Sequence, residues 1–251
     1  MLYNICSWFL LFLMYSVLGY IAEVICCSIN SKKWVLNRGF LIGPYLPIYG
    51  FGCLIMVLFL YRYENDLLAL FIMGAFYCTL LEYITSFLME KLFKLRWWDY
   101  SDKKFNINGR VCLDNALLFG IGAIFVVRII HPHFSYLVYL LPSGVMIGLA
   151  IILFIIFLAD VVESSYITVR LKINVNNYVH KDATEKIKKE VLKAIRKHTT
   201  LTSRLLKAFP NVTMDANKKF MEFLKLFDNT KREMKIEKLK KKIREEKKKK
   251  R

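Results

Sequence analysis

No G-x-x-x-x-G-K-[ST] motif occurs in the 251 residues, so nothing in the chain can cradle ATP phosphates as a P-loop does. H-E-x-x-H is missing too, and no Ser–His pairing supplies a hydrolase nucleophile, so no catalytic residue can be named. The six cysteines (Cys6, Cys26, Cys27, Cys53, Cys78, Cys112) have no C-x-x-C spacing. They lie in or beside apolar runs and read as small buried hydrophobes, not as a disulfide or zinc framework. The four histidines are expected in water: His131 and His133 flank Pro132 in a turn, and His180 and His198 lie on a polar tail. Acids are scarce, 20 Asp/Glu against 38 Lys/Arg, for a net charge of +18.

What the chain has is apolar length. A hydrophobic content of 56% and a mean hydropathy of +0.36 exclude an ordinary soluble domain. A membrane span takes roughly 20 apolar residues, and five stretches qualify: about 5–28, 44–62, 67–89, 111–130 and 135–159. The first lacks a basic leading region and a small-residue cleavage site, so it is expected to be retained. Lys32, Lys33 and Arg38 follow the first span; Lys91, Lys94, Arg96, Lys103, Lys104 and Arg110 follow the third. The other connections hold only Arg62 and Arg128. The positive-inside rule puts the basic loops and the tail in the cytoplasm and the N-terminus outside.

The expected fold is therefore all-α and polytopic. Five spans within residues 1–165 precede a basic helical cytoplasmic tail over 166–251. From Asp160 onward the chain holds 27 Lys/Arg and 12 Asp/Glu, most of the net charge. In the tail, Asp182 with Glu185 makes a capping box, and Ile187, Val191, Ile195, Leu201, Leu205 and Phe209 form an apolar stripe up to Pro210. A second run carries Phe220, Phe223, Leu224, Phe227, Met234 and Ile243 amid lysines. Such helices suit an anionic leaflet, or packing on each other or on a second copy. Nucleic acid is disfavoured, because no motif accompanies the charge. Trp97 and Trp98 are expected in an aromatic belt, and Gly74, Gly120, Gly122, Gly144 and Gly148 at close helix contacts. Pro142 is expected to bend the fifth helix.

Threaded this way, Glu23, Glu82, Asp114 and Asp160 share one depth near the cytoplasmic side, and the outer half of every span is free of acid. Ionisable groups at membrane depth are costly and mark functional sites. Ser16 and Glu23 share a face of the first helix with Gly19 and Tyr20. Glu82, Ser86 and Glu90 are spaced to stack along one face of the third. The stretch Asn37–Gly50, with two prolines and three glycines, predicts a broken helix start, and Tyr49 follows in its first turn. Such a start, beside Arg38, can hold an anion or can be a plain cytoplasmic turn. Asp99, Asn106 and Arg110, around the Asn108-Gly109 turn, are placed to lid a polar pocket. The candidate binding residues are Ser16, Glu23, Arg38, Tyr49, Glu82, Ser86, Asp99, Asn106, Arg110, Asp114 and Asp160.

Tyr15-Ser16-x-x-Gly19 with Glu23, the Asn37–Gly50 stretch, the Glu82–Glu90 face, Arg96–Ser101 and Phe105–Leu113 together resemble a bacterial family named Putative ABC-transporter type IV, or Putative ABC transporter permease. The resemblance covers about residues 5–165. It departs where the family often carries an indole and this chain has Tyr20 and Phe119. It implies a multi-pass protein of the bacterial plasma membrane with a role in transport and no established substrate. Lacking a P-loop, such a permease needs a separate ATP-binding-cassette ATPase. No cofactor is expected in the chain itself. A different reading makes the acids ligands of a divalent cation, with Arg38, Arg96 or Arg110 holding a lipid phosphate for metal-assisted chemistry. A third is a non-catalytic adaptor bound through its tail. A second copy could complete the dry outer half of a transport path.

Overall fold

The computed structural model describes residues 1–36, 39–180, 201–209, 222–223 and 225–237, and the side chains of these except Asn30 and 174–180. Among them the chain is almost wholly helical. In order come α1 (Leu2–Ser31), α2 (Pro47–Leu60) with a 3-10 turn Tyr61–Tyr63, α3 (Leu67–Phe93), the strands β1 (Asn106–Ile107) and β2 (Val111–Cys112), α4 (Leu113–Phe125), α5 (His131–Tyr139) and α6 (Ser143–His180). β1 and β2 form an antiparallel hairpin pairing Asn106 with Cys112 and Ile107 with Val111. Arg38, like Asn37, lies outside the described residues, as do Asp182, Glu185, Ile187, Val191, Ile195, Pro210, Phe220, Leu224 and Ile243.

Four helical runs are long and apolar enough to cross a bilayer: Leu2–Ile29, Leu67–Phe93, Leu113–Tyr139 and Ser143–Ile173. Pro47–Tyr63 is apolar but shorter. Local chemistry sets their ends. Lys32 and Lys94 close α1 and α3 in left-handed geometry, and the Asp66 carboxylate caps α3 by accepting from the Ala69 N–H at 2.9 Å. Pro47 opens α2 at a position where its missing N–H costs nothing.

Two expectations about the later spans are corrected. His131-Pro132-His133 is not a turn: a π-helical turn, Val126–Ile130, joins α4 to α5, so one continuous run reaches Tyr139. The wider turn accommodates the Pro132 ring, which would clash with the carbonyl four residues back in a regular helix. The chain reverses instead at residues 140–142, and Pro142 precedes α6 without bending it.

Close approach fixes the packing of α1 on α2 and of α3 on α4. A Cβ at Gly19 would run into Tyr49, and one at Gly50 into Ser16 and Phe12. At Gly74 it would meet the Ala123 Cβ, and at Gly120 the Phe71 ring. Gly122, Gly144 and Gly148 have nothing within 4 Å, so the expected packing role does not extend to them within one chain. Gly74→Val should therefore cost about 1–3 kcal/mol of overpacking, seen as a lowered melting temperature in detergent, whereas Gly122→Ala should melt as the parent does.

The core divides into two clusters. One fills the bundle with Leu10, Leu11, Tyr15, Met56, Leu60, Leu70, Val127 and Met146. The second lies where α3 and α6 leave the bundle and joins Leu95, Trp97, Ile167 and Leu171 to Leu205, Phe223 and Phe227 of the tail. Residues 201–208 and 225–237 are helical there, and Lys231 Nζ donates to Ser203 Oγ at 2.5 Å between them. The described part of the tail thus buries its apolar stripe against the chain's own membrane helices. Trp97 is correspondingly not in an aromatic belt; it is buried in edge contact with Phe209, centroids 4.8 Å apart.

Candidate functional site

Side chains from four elements converge near the hairpin end of the bundle. Glu23 of α1 accepts from the Tyr49 hydroxyl of α2 at 3.0 Å, and its other oxygen is 3.2 Å from Cys27 Sγ. Gly19 makes this pairing possible by letting the Tyr49 side chain lie directly on α1. Glu82 of α3 accepts at Oε1 from Tyr100 of the loop, 3.3 Å, and from Asn115 Nδ2 of α4, 3.2 Å. Glu82 is only 6% exposed, yet its Oε2 has no hydrogen-bond partner among the described residues. Tyr49 lies within electrostatic range of Glu23, Glu82 and Tyr100, so the two carboxylates and two phenols form one polar cluster, called the pocket below. Burial and the Glu82 carboxylate push the Tyr100 phenol well above its ordinary pKa, which keeps it a hydrogen-bond donor.

A second layer of charge is internally matched. Arg110 Nη1 is 2.7 Å from Glu90 Oε2 and 3.3 Å from Ser86 Oγ, and its guanidinium lies over Phe87 and Tyr83. Arg96 contacts the same Glu90 oxygen at 3.6 Å and Asp99 at 3.3 Å, and donates to the Asn108 carbonyl. Burial alone would raise the Asp99 carboxyl, but the Ser101 hydroxyl and N–H and the Arg96 charge outweigh it and hold it below the usual range. Asn106 shapes the hairpin, donating to Lys103 O at 2.7 Å and accepting from Gly109 N–H at 2.9 Å. The Glu82–Ser86–Glu90 face predicted from spacing is thus one surface, with Glu82 in the pocket and the other two beneath Arg110.

Asp160 performs a different task. The Gly39–Leu46 segment is irregular, as its prolines and glycines predict, and two of its N–H groups point at the Asp160 carboxylate: Ile42 at 2.8 Å and Gly43 at 2.7 Å. Tyr45 O–H adds 2.6 Å and Ser164 O–H 2.9 Å. The anion expected at the broken helix start is a resident side chain. Arg204 of the tail donates to the Phe40 carbonyl at 2.9 Å and lies within electrostatic range of Asp160.

The remaining candidates lie apart from the pocket. Ser16 is buried in the α1–α2 crossing, donating to Phe12 O at 2.7 Å while its own carbonyl accepts from Leu46 N–H. Asp114 is exposed and pairs with Lys103 at 3.6 Å on the surface. It therefore does not share the pocket with Glu23 and Glu82; at the first turn of α4 its side chain leaves about 100° round the helix from that of Asn115, which reaches Glu82. Tyr100 and Asn115 were absent from the candidates, though both flank residues that were present. His131, expected in water, is helical and accepts from or donates to Tyr15 Oη at 2.7 Å, beside Ser135. No group of three or more His, Cys, Asp and Glu close enough to hold a metal ion occurs among the described residues.

Four apolar helices of membrane length define, by length and composition, a polytopic helical membrane protein. The family model Putative ABC-transporter type IV matches residues 10–165, and the chain belongs to that family. The matched stretch contains every pocket residue and stops before the tail. No curated protein and no solved structure matches the chain.

Proposed function

We propose that the protein is the membrane component of a transporter, taking up a polar substrate that carries hydrogen-bond donors or positive charge at Glu23, Tyr49, Glu82, Tyr100 and Asn115. The observation that carries this reading is the unpartnered Oε2 of buried Glu82. A buried carboxylate oxygen without a donor is costly, and a ligand N–H or cation would satisfy it. An anionic substrate is less well served. Arg96 and Arg110 are committed to Glu90 and Asp99, and the N–H pair of Ile42 and Gly43 to Asp160.

In this reading the pocket opens to the cytoplasm of a bacterial cell, in the plasma membrane, with the N-terminus outside. The chain crosses five times. The run Pro47–Tyr63, about 25 Å long at the helical rise, completes its crossing through the Gly39–Leu46 segment. A separate ATPase supplies the energy, and the lysine face of the 166–251 tail rests on anionic lipid.

The test is ligand-induced thermal stabilisation of the full chain in lipid nanodiscs, using a panel of small primary amines and monovalent cations. At a hundredfold excess over Kd a true ligand adds about 2.7 kcal/mol. At least one member should stabilise the parent and Asp114→Asn, and fail to stabilise Glu82→Gln and Tyr49→Phe. If the whole panel leaves the parent unmoved, or if Asp114→Asn behaves as Glu82→Gln does, the pocket assignment is wrong.

A further inference from the structure

The connection between α3 and α4 does not hang below the bundle. It folds back along α3. Asn108 Nδ2 donates to Tyr83 Oη at 3.0 Å, Tyr100 reaches Glu82, and Leu113 N–H donates to Phe105 O at 3.2 Å. Asn115 lies against Glu82, so the first turn of α4, and Phe105 with it, stands at the level of Glu82 and Tyr83. A hydrocarbon core of about 30 Å takes up roughly 20 residues of helix. Counted from Leu67, α3 leaves that core near Phe87, four to five residues past Glu82 and Tyr83, which puts the hairpin tip about 6–8 Å on the acyl side of the headgroup boundary.

The tip is built unlike a water-facing turn. Phe105 is 79% exposed and Ile107 59%, and Phe105 is bonded to Leu113, the start of an α4 that also exposes Leu117, Leu118 and Ile121. Phe105 also holds a left-handed backbone, φ 53°, a conformation that bulky residues rarely adopt. Among the described residues the ring is left largely uncovered. Lys103 and Lys104 stand beside it, both exposed, with Asp102 and Asp114 as the neighbouring acids and Asp114 paired to Lys103.

We propose that this hairpin is a lipid-binding wedge. Phe105 and Ile107 seat among the acyl chains just inside the headgroup boundary, and Lys104 engages the headgroup of an anionic phospholipid. The leaflet is the inner one on the orientation proposed above. The position of Phe105 against the first turn of a membrane-length helix, with the exposed Lys104 beside it, favours lipid over a protein partner. The wedge stands without the pocket reading, but the two are physically joined. Tyr100 N–H donates to Gly109 O at 2.7 Å, so the strand end that bears the wedge also positions the phenol on Glu82.

The test uses the full chain in nanodiscs, comparing Phe105→Trp and, as a second site, Ile107→Trp with the parent to subtract the native tryptophans. The added emission should be strongly quenched by phospholipids brominated near the headgroup end of the chain and little affected by aqueous iodide. Quenching by bromine should rise when phosphatidylglycerol replaces part of the phosphatidylcholine, and Lys104→Glu should remove that rise. Strong iodide quenching at both positions would overturn the wedge. So would a partner protein that co-purifies with the parent and is lost on Phe105→Ser. A bromine signal indifferent to phosphatidylglycerol would overturn the headgroup assignment.

Discussion

Phe227→Ala should release the tail from the bundle. The Phe227 ring is 2% exposed in the cluster that joins Leu95, Trp97, Ile167 and Leu171 to Leu205 and Phe223. Truncating a buried phenylalanine costs about 3–5 kcal/mol, from lost transfer energy and the cavity left behind. That is most of what a contact this small can supply, so the tail helices should detach while the membrane helices stay folded. Limited trypsinolysis in detergent is the measurement, because the tail is dense in lysine. Cleavage beyond residue 180 should accelerate at least tenfold relative to the parent, with the membrane fragment left intact. Unchanged cleavage would mean that the second cluster does not hold the tail in place.

Asp160→Ala should have a comparable effect through polar chemistry. Its carboxylate accepts from two backbone N–H groups and two hydroxyls, at 2.6–2.9 Å. Each hydrogen bond to a charged acceptor is worth about 1.5–3 kcal/mol, with partial exposure reducing the sum. A net loss of about 3 kcal/mol is expected, concentrated in the Gly39–Leu46 segment and visible as faster hydrogen exchange there. The variant would also expose a two-donor anion nest. Formate should then restore part of the lost thermal stability of Asp160→Ala and leave the parent unchanged.

The helices could be read from the chain because apolar length is a property of local sequence. The starts of the first, second and fourth stretches are off by only two or three residues, and α3 opens at Leu67 as expected. The reversal at residues 140–142 was harder to see. Pro132 is a strong local breaker, and only the π-helical turn before it lets the helix run on. Glu82, Ser86 and Glu90 were legible as a face for the same local reason. Which acids meet was not legible, because depth along a helix is written in sequence and rotation about it is not. Asp114 has the depth of Glu82 but an outward side chain, and Asp160 has the depth and a loop to hold. The tail's docking depends on the long-range match of Leu205, Phe223 and Phe227 to Trp97, which no periodicity in either segment announces.

The sixth helix carries a mechanical implication. α6 runs unbroken through 38 residues, about 57 Å at the helical rise, from the turn after α5 to His180. Asp160 clasps the Gly39–Leu46 segment partway along it, and Ile167 and Leu171 bear the tail a few turns further on. A rod of that kind acts as a tiller: a tilt of ten degrees at its buried end sweeps the far end through roughly 10 Å. Whatever rocks the bundle must therefore carry clasp and tail together, in fixed proportion and without delay.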